Sequence, residues 1–335
     1  MKFAFSIPVF QEAGSSDPFR QTYELCQAAE EYGFDLGVVG HHHFLPGYAT
    51  SPFVLLAAIA ARTSKLRLGT GVFLLPLHHP LEVAEQVAVL DHISNGRALL
   101  GVGIGYLTKE YEAFGVPYNR RGARLGEAIQ VIRAAWTQES FSYEGRHFTI
   151  PEVQVLPKPV QQPHPPIWVG AVARRALERA AELGDGWMSD LMQTLPVEKR
   201  LTDRYREACA RHGRQPVVCL LRNSYVAATR QEVEEKWLPG AIESQVWYWR
   251  AGARGRDDAG LFQRMDAGEK VSLEDFARDR AIAGTPDDCI KEIERYRQEI
   301  DCDYLQLSIG NVGGYEETRK SLELWGREVL PAFKE

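Results

Sequence analysis

Three consecutive imidazoles, His41, His42 and His43 in GVVGHHHFLPGY, are the first residues of this chain whose types could carry chemistry. Imidazole can act as acid, base, hydrogen-bond partner or metal ligand near neutral pH. Consecutive residues at a strand end point in alternating directions, so the three rings cannot all converge on one metal ion. No HxH or ExxH pattern elsewhere adds matching carboxylates, and no metal is expected. What remains is an acid, base or donor role for at least one ring, the others being loop histidines satisfied locally. Further polar groups follow short apolar runs. His78 and His79 come after LLP (74–76), Glu110 sits in GIGYLTKEYEAFG, Asp190 follows GWMS, and Asn311 sits in SIGNVGG. Each alone carries little, because strand ends are polar by default; together they ring one mouth.

A second kind of site is written into PIWVGAVARRALERAAELGDGW, where a strand ends at Gly170 and a helix begins near Ala173. The backbone N–H groups of Ala171, Val172, Ala173 and Arg174, with Arg174 and Arg175 near the first turn, suit a phosphate. The competing reading is that both arginines are solvated helix-face residues.

These residues need elements to hold them. β-rich runs at 3–7, 36–39, 66–73, 98–103, 166–170, 186–189, 217–227 and 304–309 alternate with helical patterns at about 19–32, 52–62, 80–93, 122–137, 173–183, 195–211 and from about 230, and helices at about 286–299 and 316–330 flank the last strand. Several of the strands are apolar nearly throughout, as parallel strands covered on both faces are. Eight β-then-α units without a linker predict a single α/β domain over 1–335, a (β/α)8 TIM barrel. A doubly wound sheet is the alternative, but the Gly-rich turn it often places after the first strand is missing. Residues 138–165 read as a hairpin followed by a Pro-rich crossing. Residues 239–283 read as an insertion after strand seven with little periodicity, expected as a lid on the barrel's catalytic face with Trp247, Tyr248 and Trp249 as an aromatic wall. In a barrel, the C-terminal strand ends are where His41–His43, His78, His79, Glu110, Gly170, Asp190 and Asn311 fall.

Composition narrows the partners. With 44% hydrophobic and 25% charged residues the 335-residue chain can bury a large core, and a net charge of −6 argues against nucleic acid or an anionic membrane as partner. No apolar run approaches a membrane span of ~20 residues, and MKFAFSIPVFQ reads as a strand rather than a signal peptide. Five scattered cysteines without a CxxC fit a reduced, cytoplasmic protein.

Taken in order, the stretches YGFDLGVVGHHHF, LRLGTGVFLLPLHHPLEVAEQVAVLDHISNGRALLGVGIGY, YEAFGVP, PHPPIWVGA, LGDGW, AGTPDDCI and LWGREVLPAF resemble the bacterial luciferase-like flavin-dependent monooxygenases over nearly the whole chain. The resemblance implies a (β/α)8 barrel, a homodimer, and FMN, received as FMNH2 from a separate flavin reductase, at the C-terminal mouth. It implies use of O2 through a flavin C4a-peroxide on a small organic substrate. The family's Glu-His-His-Phe run falls on His41–Phe44, so its catalytic histidine maps to His42, and His41 departs from the usual Glu. His42, His43 and Glu110 are the catalytic candidates. The family's unusual, often cis, peptide beside the flavin falls on Gly71–Val72; His79, the 170–174 segment and Asn311 complete the flavin-binding candidates. The luciferases' reactive Cys and phosphate-gripping Arg are replaced by Gly103 and Ile104, which argues for an ordinary monooxygenase rather than light emission. A sister branch uses the deazaflavin coenzyme F-420 and transfers hydride; the paired histidines and NVGG favour FMN. A non-catalytic flavin-binding subunit is the competing class. The family's dimer contact falls on the helices at 52–62 and 80–93, the first apolar on nearly every face.

Overall fold

The structure, a computed structural model, describes residues 1–335 except 12, 13, 15, 254, 256, 311, 312 and 335. The fold is a (β/α)8 barrel, and the chain divides into two compact units, residues 37–188 with 205–217, and residues 1–36, 189–204 and 218–335.

The unit of residues 37–188 carries most of the candidate site. Its parallel strands are β2 (Leu36–Val39), β3 (Arg67–Thr70), β4 (Ala98–Val102), β7 (Ile167–Gly170) and β8 (Gly186–Met188), hydrogen-bonded in that order. The hairpin β5 (Phe141–Glu144) and β6 (Thr149–Val153) is the predicted excursion between β4 and β7. Every residue of β2, β4 and β8 is buried, which is why these strands are apolar throughout rather than alternating. Helices α2 (Pro52–Ala60), α3 (Pro80–Ile93), α4 (Thr108–Ala113), α5 (Arg121–Thr137) and α6 (Arg174–Leu183) follow strands of this unit. Pro52 and Pro80 stand in the first turns of α2 and α3, where the missing N–H costs nothing and the fixed φ favours a helix.

In the other unit β1 (Lys2–Ser6), β9 (Val218–Val226), β10 (Ala281–Gly284) and β11 (Tyr304–Ser308) pair in parallel in the order β10-β9-β11-β1. Helix α1 (Arg20–Glu31) follows β1 and α7 (Leu195–Arg211) follows β8. The helix over Pro286–Glu299 opens with a reciprocal cap between Thr285 and Asp288.

Two expectations change here. β10 is a ninth parallel strand; its four residues, AIAG, are too few to show a period. The 239–283 segment is largely helical, with helices at Leu238–Arg250, Ala259–Asp266 and Leu273–Ala277. The latter two span only eight and five residues, too short for an apolar stripe to declare itself. They enclose a core of their own around Trp237, Phe262 and Phe276. Tyr248 and Trp249 pack against that core, Trp249 stacking on Phe262, so the expected aromatic wall is largely internal packing of the insertion.

Candidate active site

The ends of β4 and β7 close on Val72, which follows β3, and the end of β2 closes on the neighbouring Gly71. A Cβ on Gly170 would lie 3.0 Å from Val72 Cγ1, one on Gly103 would overlap Val72 Cγ2, and one on Gly71 would lie 2.9 Å from Val38 Cγ2. Side chains at these three strand ends would push the segments apart, so glycine is required by close approach. The Gly71–Val72 peptide is cis, as the resemblance implied.

His42 leaves the end of β2 buried, and α4 brings Glu110 to it. Glu110 Oε1 lies 3.0 Å from His42 Nδ1 and accepts the His43 backbone N–H at 2.7 Å. A carboxylate only accepts, so His42 Nδ1 is the donor, and in the neutral ring Nε2 keeps the lone pair. That nitrogen faces the Tyr106 hydroxyl at 3.2 Å, and Tyr48 stands edge-on to the ring at 4.7 Å. Glu110 Oε2 is buried without a hydrogen-bond partner among the described residues. The result is a relay, carboxylate to imidazole to phenol, in which His42 has a fixed tautomer and a basic nitrogen pointed away from its anchor.

His41 and His43 take the other side of the strand end. Their Nε2 atoms are 3.1 Å apart, and the His78 ring centroid lies 5.4 Å from that of His41 and 6.0 Å from that of His43. His41 stacks on Phe73 and its Nδ1 accepts the Leu74 N–H at 3.2 Å. Burial pushes His41 down to about 2 and His78 down to about 4, and neighbouring imidazoles add to both shifts. Burial lowers His43 as well, opposed by the Glu110 carboxylate. Phe44 follows with a left-handed backbone (φ 63°), costly for a side chain of that size, and leaves its ring 59% exposed beside Phe114.

The phosphate candidate lies at the start of α6. α6 begins at Arg174 without a side-chain cap from Ala173, and the Ala176 N–H already returns to the Ala173 carbonyl at 2.8 Å, so the N–H groups of Arg174 and Arg175 are the ones at its open start. Ala171 does not fit the expectation: its N–H donates to the Met188 carbonyl at 3.3 Å, which β7–β8 pairing requires, and its own carbonyl accepts the Trp187 indole. The exposed start of the helix, Ala173, Arg174 and Arg175, is what remains for an anion, with Val172 half-buried before it. His79 is also corrected. It is exposed and caps α3, Nδ1 accepting the Leu81 N–H at 3.3 Å, because the helix needs an acceptor at that position. Asp190 is spent locally on the Met192 N–H and the Gln193 amide, and burial raises its pKa. Asn311 lies outside the described residues.

Sequence reasoning did not single out Tyr106, Tyr48 or Phe114. Tyr106 lies four residues before Glu110, and that spacing across the start of a helix was the one signal available for it.

The family model described as luciferase-like monooxygenase matches residues 1–301. The oxygenase component of a flavin-dependent trigonelline monooxygenase from Acinetobacter baylyi is 29% identical over 95% of this chain and 90% of that protein. The crystal structure of monooxygenase RslO1 from Streptomyces bottropensis superposes with a TM-score of 0.81 and 28% identity, covering 100% of both chains. The coenzyme F420 dependent tetrahydromethanopterin reductase of Methanopyrus kandleri, at a TM-score of 0.77 and 22% identity over 99% of each chain, shares the fold. Among the described residues no helix is long and apolar enough to cross a membrane. The chain belongs to the luciferase-like monooxygenase family.

Proposed function

We propose that this chain is the oxygenating component of a two-component flavin monooxygenase, receiving FMNH2 from a separate reductase and inserting one atom of O2 into a small organic substrate. The observation that carries the reading is His42, buried at a strand end, its Nδ1 anchored on Glu110 and its Nε2 turned to Tyr106. The family match and the oxygenase component from Acinetobacter baylyi support the reaction class.

The residues present fit a flavin phosphate and ring. α6 offers uncapped first-turn N–H groups with Arg174 and Arg175 beside them. Gly103 and Gly170 let the strand ends close on Val72, beside which the ring would lie. Reduced FMN, when bound, supplies the electrons that activate O2. The chain's own residues do the rest. His42 Nε2 takes a proton from, or returns one to, the reacting partners through Tyr106, while Glu110 holds the imidazole in the tautomer that leaves Nε2 basic. His43 contributes its backbone N–H to Glu110. Tyr48, edge-on to the His42 ring, gives the group His42 serves an aromatic neighbour.

Assembly as a homodimer is part of the proposal. Val54 on α2 and Val89 and Ile93 on α3 are exposed in one chain, 73%, 44% and 47% respectively, and such a patch suits a self-complementary contact. Light scattering should give a mass near twice 37.7 kDa; a stable monomer refutes this part.

The activity test supplies FMNH2 through any flavin reductase under 18O2 and screens small organic compounds by mass, beginning with trigonelline. One heavy oxygen per product molecule is the expected result. Product without label, or turnover with reduced F-420 in place of FMNH2, would assign hydride transfer instead.

A further inference from the structure

We propose that His41, His43 and His78 form a binding site for one divalent transition-metal ion of the copper, zinc and nickel class, separate from the His42–Glu110 pair. One ligand nitrogen from each of the three rings lies within 4.8 Å of the other two. The His41 and His43 Nε2 atoms are already 3.1 Å apart. Two nitrogens at ~2.0–2.1 Å from a tetrahedral cation stand roughly 3.3 Å apart, so this pair needs almost no adjustment. His78 Nε2 is buried and has no hydrogen-bond partner among the described residues, which leaves it ready to act as the third ligand. Rotation of the His78 side chain, drawing its nitrogen in from within 4.8 Å toward the roughly 3.3 Å that a tetrahedral ion sets, closes the set.

The donor chemistry selects the cation. Three neutral imidazoles without a carboxylate among them suit first-row ions from nickel to zinc, and suit calcium or magnesium poorly. His42 is excluded because its ring turns to Glu110 and Tyr106. Alternation along the strand end keeps the three consecutive rings from converging, yet it places the first and third on one side, and β3's following loop adds His78 there.

One bond opposes the ion. In the metal-free protein His41 Nδ1 accepts the Leu74 N–H, so its proton resides on Nε2, where it donates to His43. Ligation moves that proton to Nδ1 and gives up the 3.2 Å contact to Leu74. Two hydrogen bonds, the long one from Leu74 and the one between His41 and His43, are lost against three coordinate bonds formed, and no proton need leave the protein. Because His43 also binds Glu110 through its backbone N–H, occupancy would bear on the anchor of His42.

The test uses tag-free, EDTA-treated full-length protein, titrated with Zn2+ by calorimetry and with one equivalent of Cu2+ by electron paramagnetic resonance. The expected result is one tight ion per chain with nitrogen hyperfine structure. His78→Ala should weaken it by roughly tenfold or more, since even second-shell losses cost 10–100-fold. His43→Gln should do the same while keeping the backbone contact to Glu110, which guards against a misfolded first variant; circular dichroism monitors both. His147→Ala and His212→Ala should leave the tight site unchanged. Absence of saturable binding, or tight binding that survives both His78→Ala and His43→Gln in folded protein, overturns the proposal.

Discussion

Two buried glutamates, one in each unit, show what separates architecture from chemistry. Glu110 and Glu198 are both almost wholly inaccessible, and each leaves Oε2 without a hydrogen-bond partner among the described residues. Glu198, on α7, faces Arg222 of β9 at 3.4 Å. Arg222 is fully buried and donates to the Tyr296 hydroxyl at 2.9 Å and to its neighbour's carbonyl, Leu221 O, at 2.7 Å. A guanidinium keeps its proton at every ordinary pH, so this contact braces strand against helix and transfers nothing. Glu110 faces an imidazole, which can gain and lose a proton, and that imidazole faces a phenol. The partner's chemistry, more than the burial of the acid, decides which glutamate belongs to a working site.

Substitutions should separate the two regions. The largest effect expected is on stability: Arg222→Met leaves Glu198 and Tyr296 without their partner and should cost about 3 kcal/mol or more, read by chemical denaturation, with kcat of the surviving folded enzyme little changed. His42→Ala should leave the fold intact and lower kcat by roughly 100-fold or more, while His41→Ala lowers it far less. Equal losses from both histidines would remove His42 from its assigned role.

The pH dependence of stability should differ in sign between the units. His41 and His78 are held neutral by burial, so the unfolded chain binds protons near 6.5 that the folded chain refuses until about 4 for His78 and about 2 for His41. Their contribution is present above 6.5 and is lost as the pH falls below it. Glu198 runs the other way. Burial raises it from 4.5 to about 8, so its contribution is present below 4.5 and is lost as the pH rises toward 8. Melting temperatures across this range should fall on both sides, His78→Gln softening the acid limb and Glu198→Gln the alkaline limb. An unchanged limb in either variant breaks the assignment for that unit. The smallest effect expected is at α6: Arg174→Ala should weaken FMN several-fold and leave riboflavin binding unchanged, as titration would show, because the proposal puts only the phosphate at the helix start.

Much of the barrel was legible because its strands are continuously apolar and its helices begin at Pro or capped positions, as at Pro52, Pro80 and Thr285. The cis peptide at Gly71–Val72 was legible through the family resemblance, and Glu110 as a polar group beyond β4. Other features depend on three-dimensional register. His78 joins His41 and His43 only once the loop after β3 is folded. His79, one residue on, turns outward to cap α3. Tyr106 is one of thirteen tyrosines, and only its spacing from Glu110 marks it before α4 fixes its position. The insertion's helices are too short to print a period, so its aromatics looked like a wall when several are a core.

The central claim is that Glu110 serves proton transfer and Glu198 serves the fold, and one paired measurement tests it most directly. Glu110→Gln and Glu198→Gln would be compared at pH 7 for kcat with FMNH2 and O2 on a compound identified by the 18O2 screen, and for melting temperature. The prediction is a crossed pattern: Glu110→Gln lowers kcat roughly tenfold or more with little change in melting temperature, and Glu198→Gln shifts the melting temperature with kcat preserved. Parallel behaviour of the two variants, in either quantity, would contradict the account.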